Sequence, residues 1–79
     1  MPGYLSTRLP HYYPVMRIVL PDQSIRNVVQ GPVSVESLLH SLGINPHDVI
    51  VSRNGTIVPE GASVGADDEI RIIRIAHGG

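Results

Sequence analysis

At 79 residues the chain has room for one small domain that buries only about 60% of its unfolded surface, which excludes a second domain or a large catalytic cleft. Apolar residues at 42% suit a globular domain, and a net charge of -1 argues against nucleic acid or an anionic membrane as the main partner. The absence of cysteine removes any disulfide framework, thiolate nucleophile or Cys-based metal site, and no apolar run approaches the roughly 20 residues of a membrane helix.

Residues 1–14 contain Pro2, Gly3, Pro10 and Pro14 and follow no period. A flexible N-terminal tail is expected there. It lacks the basic-then-apolar layout of a signal peptide, so a cytoplasmic location is expected. From Val15 the pattern sharpens. Met16, Ile18 and Leu20 alternate with Val15, Arg17 and Val19, which predicts a strand with one buried face. Pro21-Asp22-Gln23-Ser24 is turn chemistry. A second strand, residues 25–30, follows at hairpin distance and ends at Gly31-Pro32.

Val35, Leu38, Leu39 and Leu42 form one apolar stripe at helical spacing. Ser34 stands at the N-cap, and Glu36 lies in the first turn, where the helix dipole favours negative charge. Gly43 is placed for a left-handed C-terminal cap, with Ile44 as its apolar contact and Pro46 preventing resumption. A β-branched strand, Val49-Ile50-Val51, precedes the turn Asn54-Gly55, where both residues tolerate positive φ. Thr56-Ile57-Val58 pairs back and Pro59 closes it. Residues 60–68 are expected to form a loop, and residues 69–76 the last strand.

The predicted order is β-β-α-β-β-β. Two hairpin strands, one helix across the sheet and three more strands make an α+β fold of the β-grasp type, with a mixed five-stranded sheet. The first and last strands should pair in parallel at its centre. The domain is expected over residues 15–76, with a flexible tail at 77–79, and the protein is expected to be a monomer.

The residues offer no constellation for catalysis. His11, His40, His47 and His77 show no metal-ligand spacing. Asp67-Asp68-Glu69 is better read as a solvated turn before a strand than as a cation site. Asp22 and Asp48 suit turns or caps. No glycine-rich loop precedes a helix as phosphate binding requires. What remains is Gly78-Gly79, directly after a strongly apolar strand. Glycine accepts extended and left-handed backbone alike, so such a tail can thread a channel that side chains would block. A terminal carboxylate, ionised at neutral pH, is a poor electrophile until a partner adenylates it with ATP. Sulfide then yields a thiocarboxylate, and an amine yields an amide. No bound cofactor is expected, since the partner consumes the ATP.

Leu38-Leu39 with Leu42-Gly43-Ile44, Val49 to Val51, Asn54-Gly55, Ile57-Val58-Pro59, Asp68-Glu69-Ile70, Ile72-Ile73-Arg74 and Gly78-Gly79 together resemble the ThiS/MoaD superfamily of ubiquitin-like sulfur carriers. Residues 45–79, with Pro46-His47-Asp48-Val49 and Val58-Pro59-Glu60, are most similar to the small archaeal modifier proteins, relatives of the ubiquitin-related modifier of tRNA thiolation. The resemblance implies a non-enzymatic carrier whose C-terminal glycine is adenylated by a ubiquitin-activating-type enzyme. It implies sulfur-transfer enzymes as further partners and, for a modifier, target proteins joined through lysine. Dedicated service in thiamine or molybdopterin synthesis is the alternative, and a non-covalent β-grasp binding module is another. MoaD proteins usually carry two prolines before the Gly-Gly, whereas here the approach is Arg74-Ile75-Ala76-His77. ThiS proteins tend to lack an N-terminal tail.

Strand alternation assigns a docking surface. If Ile70 and Ile72 face the helix, Arg71 and Ile73 face away, and Ile50 joins them. With His77 at the base of the tail, these residues are expected to meet the activating enzyme. All six basic residues are arginine. A modifier without lysine cannot build chains on its own side chains, so any conjugates are expected to be single additions.

Overall fold

The computed structural model describes residues 15–76, and the tails expected at 1–14 and 77–79 lie outside them. Strands β1 (Met16–Val19) and β2 (Ile25–Val28) form the first hairpin. Its turn is closed by Asp22, whose carboxylate accepts from the Ser24 N–H at 2.9 Å and the Ser24 hydroxyl at 2.6 Å. Those bonds hold the Asp22 carboxyl below its ordinary pKa.

Strand β3 (Val33–Ser34) runs directly into helix α1 (Val35–Ser41). The Ser34 hydroxyl caps the helix by accepting from the Ser37 N–H at 3.0 Å. The next orphan donors are satisfied from afar, since Val35 and Glu36 N–H donate to the carbonyls of Ala62 and Glu60. At the other end Gly43 has φ of 75°. Ile44 N–H donates to Leu39 C=O and Gly43 N–H to His40 C=O, the two bonds of a Schellman cap.

A 3-10 turn (Pro46–Asp48) leads into β4 (Val49–Arg53), and Asn54-Gly55, with φ of 51° and 90°, reverses the chain into β5 (Thr56–Val58). Two positive φ values in succession suit a type I′ turn, whose twist matches that of the strands. Strand β6 (Ser63–Val64) pairs antiparallel with β3, and β7 (Glu69–Arg74) completes the fold. The main sheet has the order β2-β1-β7-β4-β5. β1 and β7 are parallel neighbours at its centre, with Ile18 opposite Ile70. One helix on one face of this mixed sheet is the β-grasp arrangement.

The core lies between α1 and the sheet. Met16, Ile18 and Ile70 are fully buried, and Leu39, Val35, Leu38, Val51 and Ile72 nearly so. Three expectations need correction. Leu20 and Leu42, expected in the core, pack against it only partly, because both sit where the sheet and helix end. Val19, expected on the exposed face, is buried at 5% exposure, flanked by Ile25 on one neighbouring strand and Arg71 on the other. The stretch expected as a loop at 60–68 contains β6, whose Val64 is a core residue.

Candidate functional site: the base of the tail and the outer sheet face

The last strand holds the base of the tail at the middle of the sheet. β7 is hydrogen-bonded on both sides, to β1 and to β4. The ladder to β4 continues one step past it, with Ile75 N–H donating to Asp48 C=O at 2.9 Å. Ala76 is the last residue described. His77, Gly78 and Gly79, expected at the reactive end and its docking surface, lie outside the described residues.

Position on β7 decides which side chains accompany the tail. Ile70 and Ile72 face the helix and are buried, while Arg71 and Ile73 face the other way. Ile73 stands directly opposite Ile50 on β4, and the two are 45% and 38% exposed. Arg71 has Ser52 beside it on β4 and Val19 on β1. The structure thus brings together Ile73, Ile50 and Arg71 as the alternation implied.

It also adds two residues. Ile57 on edge strand β5 is opposite Ser52, and Ile25 on edge strand β2 is opposite Val19. One row across the outer face therefore reads Ile25, Val19, Arg71, Ser52, Ile57, with the Ile50–Ile73 pair beside it. The Ile50–Ile73 pair, with Ile57 on the next strand and Arg71 beside it, gives this part of the outer face exposed aliphatic side chains next to a cation. Alternation within Thr56-Ile57-Val58 already pointed Ile57 outward. Its joining the patch depended on the register of β4 with β5.

The acidic turn before β7 has a structural role. Asp68 spends one carboxylate oxygen on the Asn54 side-chain amide at 3.0 Å and the other on the Gly65 N–H at 2.9 Å. Asn54 in turn accepts from the Glu69 N–H at 2.8 Å. This links the β4–β5 turn to the start of β7. Glu69 faces Arg17 at 3.8 Å across half-exposed side chains, a contact of small energetic weight. Among the described residues no group of three or more His, Cys, Asp or Glu could hold a metal ion, and no helix is long and apolar enough to cross a membrane.

Residues 17–79 match the family model of the ThiS family. Proteins of that family are ubiquitin-like sulfur carriers that work with activating and sulfur-transfer enzymes and are not themselves catalysts. No curated protein matches the chain.

Proposed function

The chain belongs to the ThiS family, and on that premise we propose that its working group is the carboxylate of Gly79. A partner enzyme activates it: a carboxylate oxygen attacks the α-phosphorus of ATP and pyrophosphate leaves. Sulfide then attacks the acyl carbon of the adenylate and AMP leaves. The terminus becomes a thiocarboxylate, with one oxygen replaced by sulfur. An amine attacking the same carbon would instead leave an amide to a target protein.

The observation that carries this reading is the placement of the tail's base. β7 is paired on both sides at the sheet centre, and the family match extends along the tail to Gly79. The activating enzyme docks on the outer face through Ile73, Ile50 and Arg71, with Ile57 extending the contact and His77 at the base of the tail. Docking so close to the reactive end leaves only a short link between the recognised surface and the enzyme's active site.

The finer role we propose is that of a cytoplasmic sulfur donor and protein modifier resembling the small archaeal modifiers, in a process such as tRNA thiolation. The support is the stretch 45–79 and an approach to Gly78-Gly79 that lacks paired prolines. Covalent adducts in cell lysate separate this role from a carrier dedicated to thiamine or molybdopterin. Because the chain has no lysine, adducts should be single additions, and ladders on one acceptor site would contradict that.

The test is intact mass after incubation with ATP, sulfide and a cognate activating enzyme. The full chain should exchange one oxygen for sulfur. A chain lacking Gly79 should not, and its melting should be unchanged. Thiocarboxylate on the shortened chain would overturn the assignment.

A further inference from the structure

On the helix side of the sheet, a groove of about 210 Å³ crosses the ends of β2, β1 and β7 beneath the C-terminus of α1. Leu20, Leu42 and Ile44 supply its apolar lining, and each is a partly buried residue packed against the core. Arg26 and Arg74 also line it. Both occupy core-facing positions in their strands, since Arg26 is opposite Ile18 and Arg74 opposite Val49. Both residues are exposed, so the two guanidinium groups stand at the rim of the helix side rather than within the core. Among the described residues neither arginine makes an ion pair within 4 Å. Asp22, the carboxylate beside them, is hydrogen-bonded by Ser24.

We propose that this groove binds an extended segment of a partner protein in which an aliphatic side chain is flanked by carboxylates. The volume is below the roughly 300–1,000 Å³ of small-molecule sites, which suits a side chain better than a nucleotide. The apolar lining takes the aliphatic group. The guanidinium pair, with one carboxylate already hydrogen-bonded nearby, leaves a net positive rim that matches acidic flanks, and guanidinium groups bind carboxylates in a forked geometry. Ile73 and Arg74 are consecutive on β7 and project to opposite faces. A segment seated here therefore does not cover the face that carries Ile50 and Ile73. The inference is independent of how the tail reacts.

The experiment titrates the full chain, isotopically labelled for amide NMR, with the peptide Asp-Asp-Leu-Leu-Glu-Asp and with its neutral counterpart Asn-Asn-Leu-Leu-Gln-Asn. The acidic peptide should shift the amides of Arg26, Leu42, Ile44 and Arg74, and binding should weaken as salt rises. The Arg26→Ala/Arg74→Ala variant should bind about tenfold more weakly, and Arg26→Lys/Arg74→Lys should recover only part of that loss, because an ammonium keeps the charge but lacks the forked geometry. Shifts confined to Ile50 and Ile73, or equal binding of the neutral peptide, would overturn the proposal. So would an affinity that rises when residues 77–79 are removed, because the chain's own carboxylate would then be the occupant. No ATP, sulfide or activating enzyme enters this test, so its failure is distinguishable from a failure of the sulfur-carrier reading.

Discussion

The two faces of the central sheet use the same residue types for different ends. On the helix side Ile18, Ile70 and Ile72 are at most 2% exposed. On the outer side Ile25, Ile50, Ile57 and Ile73 are 38–68% exposed. Composition cannot tell one set from the other, since both are β-branched residues suited to strands. The difference is what lies opposite. The inner set meets the α1 stripe and gains the hydrophobic free energy of burial, about 25 cal/mol per Å². The outer set has no element of the described fold across from it, so that gain is not realised within the described residues. In a small domain with about 5–15 kcal/mol of total stability, several isoleucines left in solvent are the ground on which this face is proposed for docking.

The sharpest way to break this contrast is to mutate each face and compare stability with binding. Leu39→Ala removes a side chain that is 1% exposed and central to the helix stripe. It should cost roughly 2–5 kcal/mol in chemical denaturation, and a loss under about 1 kcal/mol would show that the inner face is not where stability resides. Ile73→Asp should do the converse. Its stability should fall by less than about 1 kcal/mol, while affinity for the activating enzyme drops more than about tenfold, or some 1.4 kcal/mol. Unchanged affinity would move the interface elsewhere. Global unfolding would mean the outer face also supports the fold.

The smallest effect belongs to the turn between β1 and β2, which lies beyond the last paired residues, Val19 and Ile25. Asp22 has its pKa lowered, first by the Ser24 side-chain hydrogen bond and then by the Ser24 backbone bond. A depressed carboxyl stabilises the fold above its unfolded value, 3.8, and loses that contribution as pH falls through the folded value. Asp22→Asn should therefore be slightly less stable than the parent at about pH 6, and the gap should narrow towards about pH 3. A gap that is constant with pH would assign the effect to side-chain shape.

Local signals were read from neighbouring residues alone. The Ser34 cap, the stripe of α1 and the Gly43 cap occur where spacing placed them. So does the Asn54-Gly55 turn. Each depends on contacts within a few residues, where sequence order and spatial proximity coincide. The outward direction of Ile50, Arg71 and Ile73 followed from period-2 alternation, which needs only the strand itself.

What the chain alone determined, then, were α1 and the five strands of the main sheet, the side of each strand a residue takes, and a core drawn from the helix stripe and the inner strand positions. Tertiary structure decided everything that required two distant segments to meet. The β3–β6 pairing joins residues about thirty apart in the sequence, Val33 with Val64, and so buried a valine that lay in an expected loop. Val19 lies between the larger side chains of Ile25 and Arg71, neighbours that only the register of three strands sets beside it. Asn54 acquired partners fourteen and fifteen residues away. Ile25 and Ile57 joined the outer surface only through register, and Arg26 and Arg74 came to line one groove only because β2, β1 and β7 end together. Alternation tells which way a side chain points, but a neighbour across the sheet is set by pairing, and pairing is a property of the whole fold.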